Sequence, residues 1–254
     1  MITIGSGIGV SFARGGYKFL PSTIPDIVMW FDASDPFTIT HAGGSVSQWN
    51  DKSSTGAHCT QTTGSLQPVT GSRTLNGKNA LEWDGSAALT CSPTILNGGS
   101  GVTIFIAAKS DVIPSTDRTL FQFSGDSYIA ARRNSSTGNL YGVHKNISTD
   151  SFKFTTGSVN VGTTNPFISV TSNRNGGYAR EYYSGSAEIA VSGMSANNNN
   201  FTSAAIGATG SSGSQSFIGL IGEVIVYKRE LSYAEKNIIG AYLASKWGAS
   251  WTNL

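Results

Sequence analysis

Toward the end of the chain an unbroken apolar run gives way to a pattern of longer period. Residues 220–227 are apolar apart from Gly222 and Glu223, which predicts a strand. After the charged link Lys228-Arg229-Glu230, apolar residues recur at helical spacing at Ile238, Ile239, Tyr242, Leu243 and Trp247. Ser232 and Glu235 have the spacing of a capping box, in which each side chain satisfies an N–H that the helix start leaves open. Gly248 is placed to end the helix, so the pattern predicts a helix over 232–247. Upstream, short apolar runs at 103–108, 119–123 and 167–171 alternate with turn signals: Gly43-Gly44, Asn76-Gly77, Gly98-Gly99, Asn175-Gly176-Gly177 and Ser184-Gly185. Many short strands and one late helix make an all-β chain, and 254 residues suit one large sandwich.

Two stretches almost two hundred residues apart add a family resemblance. The first is Trp49-Asn-Asp51-Lys-Ser53-Ser-Thr-Gly56-Ala-His58-Cys-Thr-Gln61, followed by Gln67-Pro68, Asn76-Gly77 and Asp84-Gly85, and preceded by Met29-Trp30-Phe31-Asp32-Ala33-Ser34-Asp35. The second is the strand-then-helix ending. Together they resemble the laminin-G-like, concanavalin A-like jelly rolls of phage virion and bacterial surface proteins. The resemblance implies a two-sheet antiparallel jelly-roll sandwich over residues 21–254, with its C-terminal helix packed on the back of one sheet. It implies little about activity, because one fold hosts many functions.

Composition changes the picture in one respect. Charged residues are 13% against a usual ~25%, and Gly numbers 31, which describes a turn-rich chain with an uncharged polar surface. The formal charge of +2 sits entirely in residues 1–20, where Arg14 and Lys18 face no acid; the rest balances 15 bases with 15 acids. Without a basic stripe, nucleic-acid binding is disfavoured. No apolar run approaches the ~18 residues of a membrane span, so no membrane insertion is expected. Residues 1–20 also read as a separate extended arm. Ile2, Ile4, Ile8 and Val10 alternate with small residues and are followed by Phe12, Arg14 and Lys18, a strand-like pattern with too little bulk for a core of its own. The segment is either a frayed terminus or an arm that adds a strand to a neighbouring subunit. Its Gly5-Ser-Gly7-Ile-Gly9 run lacks the strand, third-glycine spacing and helix of a dinucleotide loop.

Candidate chemistry is sparse. No G-x-S-x-G elbow, HExxH pair or Walker loop occurs, and His41, His58 and His144 are scattered. Glu82-Trp83-Asp84 approaches the E-x-D-x-x-E of glycosidases on this fold, but Ala87 stands where the general acid would be, so no catalysis is expected. Cys59 and Cys91 have no metal spacing and read as two small buried residues in preference to the alternative, a disulfide. The sequons at Asn134, Asn146 and Asn200 are expected by chance in a chain this rich in Asn, Ser and Thr. Laminin-G-like domains often hold calcium at the sandwich rim, which makes Asp32, Asp35 and Asp51 the Ca2+ candidates, but Asp in turns of this kind more often hydrogen-bonds its own backbone, so the structural reading is preferred and no other cofactor is expected. Trp49 and Trp83 read as inter-sheet core.

A ligand surface is expected at 173–183, where Arg174, Tyr178, Arg180, Tyr182 and Tyr183 combine aromatic faces with polar groups, and Asn197 and Asn198 could add amides. That hairpin could take a host-surface glycan or a protein. The expectation is therefore a non-enzymatic phage virion protein, present in many copies on the particle surface and tied to other virion proteins by its arm. The alternative is a carbohydrate-binding lectin or adhesin module.

Overall fold

A computed structural model describes residues 19–145, 151–174, 177–185, 189–196 and 199–254. The assembly arm (Ile2, Ile4, Ile8, Val10, Phe12, Arg14, Lys18) lies outside the described residues, as do Asn197 and Asn198. In chain order the strands are β1 (Ile27–Asp32), β2 (Ile39–Ala42), β3 (Ser45–Trp49), β4 (Cys59–Thr60), β5 (Thr74–Leu75), β6 (Lys78–Asn79), β7 (Leu81–Asp84), β8 (Leu89–Cys91) and β9 (Gly101–Ser110). There follow β10 (Arg118–Gly125), β11 (Tyr128–Arg133), β12 (Asn139–Lys145), β13 (Lys153–Asn160), β14 (Phe167–Arg174), β15 (Tyr178–Tyr183), β16 (Ile189–Ser192), β17 (Phe201–Ile206), β18 (Ile218–Tyr227) and the helix α1 (Tyr233–Trp247).

These strands build two large antiparallel sheets. One has seven strands in the order β1-β18-β9-β14-β15-β16, with β7 also paired to β18; the other has nine in the order β13-β12-β11-β10-β17-β8-β4-β3-β2. A small β5-β6 hairpin stands apart. The fold is the expected two-sheet jelly-roll sandwich with one C-terminal helix. Trp49, from the nine-stranded sheet, meets Phe31 at 5.4 Å and Trp83 at 6.4 Å between ring centroids, so both tryptophans fill the space between the sheets, as the sequence suggested. The chain is already fastened at Phe19, whose ring packs edge-on to Tyr242, and at Pro21, whose carbonyl accepts from the Tyr227 hydroxyl at 2.9 Å.

The helix begins and ends where the sequence placed it. Ser232 and Glu235 form the reciprocal capping box, and Gly248 closes the last turn in the left-handed conformation at φ 73°. It lies on the outer face of the seven-stranded sheet over β9 and β14, with Ile239, Leu243 and Trp247 buried. Gly222 makes that approach possible, because a Cβ there would fall 2.6 Å from the Trp247 ring. Beside it Glu223 is fully buried, and its carboxylate accepts from Trp30 Nε1 (2.7 Å), Trp247 Nε1 (2.8 Å) and the Tyr242 hydroxyl (3.0 Å), with Lys246 Nζ at 2.7 Å. Burial pushes the Glu223 carboxyl up, against the pull of the Lys246 ammonium. A buried ion pair saturated in this way contributes little net, but removing one partner is costly.

That network accounts for two of the three calcium candidates. Asp32 accepts from Ser34 and meets Lys246 at 2.8 Å and Lys52 at 3.1 Å; Asp35 meets Lys52 at 2.8 Å and caps Phe37 N. Asp51 accepts from the backbone N–H groups of Trp30, Ser53 and Ala57 and from the hydroxyls of Ser53 and Thr55, which ties the 51–58 loop to β1. These carboxylates are committed to ammonium and turn partners rather than converging on a cation. Among the described residues no cluster of three metal-ligating side chains occurs.

The interior also holds a polar cluster that sequence reasoning did not single out. Glu181 accepts from Ser169 Oγ at 2.9 Å and Thr171 Oγ1 at 2.6 Å, and across the sheets it faces His144, neither of whose ring nitrogens has a hydrogen-bond partner among the described residues. They converge over Gly142, where a Cβ would lie 2.5 Å from His144 Nε2 and 3.0 Å from Glu181 Oε2. Burial pushes the Glu181 carboxyl up to about 8 and the His144 imidazole down to about 3.

Stability should follow from those two shifts. Glu181 contributes fully below its unfolded value, near 4.5, and that contribution is lost as pH rises through 8. His144 contributes fully above 6.5, and its share is lost as pH falls toward 3. Carboxyls held low, such as Glu235 at about 2 beside Arg229, steepen the acid limb. The expected Tm is level between about pH 4.5 and 6.5 and declines toward pH 8. Glu181→Gln should flatten the alkaline side in a thermal melt series, and a wild-type Tm that rises from pH 6.5 to 8 would contradict this account.

Candidate functional site

The hairpin expected to bind ligand is instead largely spent on the helix. Side chains of β15 alternate, so Tyr178, Arg180 and Tyr182 point to α1 while Glu181 points into the sandwich. The Arg180 guanidinium lies 3.8 Å from the Tyr178 ring centroid, donates to the Tyr233 hydroxyl at 3.1 Å and meets Glu230 at 3.6 Å. Tyr178 donates to Glu230 Oε2 at 3.0 Å. Tyr182 is only 1% exposed, with Lys236 Nζ 4.7 Å from its ring centroid, so the open platform expected there is absent. Tyr183 is half-buried against Phe167, and Arg174 is exposed at the end of its strand. The cause is the helix, which covers the outer face of this sheet and so leaves β15 covered on both sides. What persists is a groove of about 400 Å3 lined by Tyr178, Arg180, Glu230, Tyr233 and Lys236, whose charged groups are already paired with one another.

The outer face of the nine-stranded sheet carries no helix among the described residues. On β12, Leu140, Gly142 and His144 point inward, which turns Tyr141, Val143 and Lys145 outward. On the edge strand β13, Phe154 stands opposite Val143 and is 52% exposed. Asp117, just before β10, receives the Tyr141 hydroxyl at 2.7 Å and Ser135 N at 2.8 Å. Although burial works against it, these two donors hold the Asp117 carboxyl below its ordinary value, while burial and the adjacent carboxylate push the Tyr141 hydroxyl up to about 12. The pair is therefore an ionised acceptor beside a protonated phenol at neutral pH.

The β11-β12 turn closes the site. The side-chain oxygen of Asn134 accepts from the backbone N–H groups of Ser136 and Thr137, which shapes the turn and leaves its amide nitrogen without a protein acceptor among the described residues. Asp117, Asn134, Ser136, Thr137, Asn139, Tyr141 and Phe154 line a groove of about 460 Å3. Farther along the same face Phe152 packs edge-on to Tyr128 at 5.2 Å, with Lys145 over its ring. One exposed aromatic ring beside short amides, hydroxyls and a carboxylate can hold a polyhydroxylated ligand by stacking and planar hydrogen bonds. Sequence reasoning missed this site; the Asn134-Ser-Ser-Thr turn next to alternating Tyr141 and Val143 was its nearest signal.

The near-catalytic motif is occupied structurally. Glu82 accepts from Ser72 Oγ at 2.8 Å and Arg73 Nη1 at 3.2 Å, and Asp84 caps the turn through Ser86 N and Ala87 N.

A scan of family models and a search of curated proteins gave no match. Among solved structures, the chain is similar to domain 4 of AbnA, a GH43 extracellular arabinanase from Geobacillus stearothermophilus in complex with arabinotriose. The TM-score is 0.57 at 13% identity, over 87% of this chain and 98% of that domain. It is also similar to the binding domain of botulinum neurotoxin serotype G (TM-score 0.60, 13% identity, 87% of this chain and 53% of that one). A third is Trypanosoma rangeli sialidase in complex with sialic acid (TM-score 0.56, 13% identity, 87% and 33%). The chain thus spans about half of the neurotoxin domain and a third of the sialidase. At these identities the likeness shows the β-sandwich fold.

Proposed function

We propose that this sandwich is a glycan-binding module without catalytic activity of its own. The observation that carries this reading is the groove on the outer face of the nine-stranded sheet, where the half-exposed Phe154 ring stands beside Asp117, Asn134 and Tyr141. Among the described residues its lining holds one carboxylate and no Lys or Arg, which favours a neutral sugar over an acidic one. The fold likeness to an arabinanase domain solved with arabinotriose and to a toxin binding domain supports a sugar as the ligand. An array of neutral and sialylated glycans tests the assignment: neutral oligosaccharides should bind, and binding confined to sialylated ones would contradict it.

A different set of residues supports the lack of catalysis in this reading. Glu82 and Asp84 serve Arg73 and a turn, and Ala87, buried, stands at the missing third position. No hydrolysis of a polysaccharide panel is expected, and turnover that disappears in Glu82→Gln would overturn this. Single grooves of this kind bind weakly and gain from display in many copies. Display on a phage particle, with residues 1–20 as the anchor, would supply that multiplicity; the support for it is the alternating Ile and Val of that segment.

A further inference from the structure

We propose that Cys59 and Cys91 are a modification site, at which a small-molecule disulfide such as oxidised glutathione converts two opposed thiols into one cross-strand disulfide. The inference is independent of the glycan reading. β4 and β8 are antiparallel neighbours in register at Thr60↔Thr90, and one further step of that register sets Cys59 opposite Cys91. Gln61 N donates to Ser47 O at 2.9 Å, so the backbone groups of Thr60, one residue earlier, turn the other way, toward β8. Cys59 and Cys91 therefore take the non-hydrogen-bonded position, where Cα atoms of paired residues are about 4.5 Å apart and side chains approach most closely. Disulfides span Cα separations of roughly 4.4–6.8 Å.

Both thiols also lie on the same face. Cys59 pairs with Trp49 and Cys91 with Ala204, all of them in or packed against the core. Each is a free thiol. Burial raises the Cys59 thiol well above its ordinary value, and the neighbouring Cys91 thiol raises it further, as expected of two sulfurs in mutual reach. Access differs between them. Cys59 is buried, whereas Cys91 is half-buried and lines a groove of about 440 Å3 with His58, Thr202, Ser203 and Ser211.

The reaction follows from that asymmetry. The Cys91 thiolate attacks one sulfur of oxidised glutathione, and the S–S bond breaks to release one glutathione thiolate and leave a mixed disulfide on Cys91. Cys59, its proton taken by the departing glutathione thiolate, attacks the Cys91 sulfur and displaces the second glutathione. Two protein thiols are oxidised and one glutathione disulfide is reduced to two thiols. The bond would close the chain between 59 and 91 into a loop that carries β5, β6 and β7, including Trp83, and a closure of that length should raise Tm by roughly 5–10 °C.

The test incubates the full chain with oxidised glutathione and follows free-thiol titration, intact mass and Tm, before and after dithiothreitol. Expected are loss of both thiols, an intact mass reduced by two hydrogens with no retained glutathione, a higher Tm, and reversal of all three by the reductant. Cys59→Ala should instead retain one glutathione on Cys91. Two persistent thiols, a stable glutathione adduct in the wild-type chain, or a dimer linked through Cys91 would each overturn the proposal.

Discussion

Trp247→Ala is expected to destabilise the fold by about 3–5 kcal/mol, the range of large aromatic truncations in cores. The ring is fully buried on Gly222, a position that offers no side chain to refill the space, so a cavity would open between α1 and the seven-stranded sheet. A second loss adds to the first, because Trp247 Nε1 donates to the buried Glu223 carboxylate, which would keep Trp30, Tyr242 and Lys246 but lose one donor. Trp247→Phe separates the two. It keeps most of the packing and removes the donor, so it should cost about 1–3 kcal/mol. Denaturant unfolding of the three proteins measures both, and a shift below about 1 kcal/mol for Trp247→Ala would mean that the helix is not part of the core.

What the sequence disclosed was governed by local rules. The capping box at Ser232 and Glu235, the Gly248 stop and the Trp49 and Trp83 core positions follow from side chains acting on nearby backbone or from periodic burial, and each appears as expected. The Trp49-to-Gln61 motif is legible for the same reason: Asp51 gathers its own loop, His58 Nδ1 accepts from Asp51 N, and Gln61 reaches the carbonyls of Ala88 and Ser211. The resemblance correctly implied the fold, and Asp32, Asp35 and Asp51 hydrogen-bond their own turns, as the preferred structural reading had it, with Asp32 and Asp35 also meeting lysines.

The candidate surface was not legible, because it depends on which sheet face the helix covers. An alternating strand such as 178–183 shows that two faces exist but not which one meets water. Once α1 settles over β9 and β14, Tyr182 lies beneath Lys236, and the face free of a helix among the described residues is that of the other sheet. There Asp117, Asn134, Tyr141 and Phe154 come from four separate stretches of the chain, joined only by the β10-β11-β12-β13 register. A reading confined to one hairpin could not assemble them.

The second large effect expected is on binding. Phe154 is the apolar face of the groove, and truncating a central aromatic contact in a small site should weaken a neutral oligosaccharide roughly tenfold to a hundredfold, about 1.4–2.8 kcal/mol. Because the ring is half-exposed, the same change should alter stability by less than about 1 kcal/mol, so lost binding would not reflect lost folding. Tyr178→Ala, on the groove beside the helix, should leave glycan affinity unchanged and serves as the control.

Calorimetric titration of the wild-type protein, Phe154→Ala and Tyr178→Ala with the best neutral oligosaccharide from the array tests the central claim most directly. The account predicts that affinity falls at least tenfold in Phe154→Ala and stays within about twofold of wild type in Tyr178→Ala. Equal affinity in wild type and Phe154→Ala, or a loss confined to Tyr178→Ala, would contradict it.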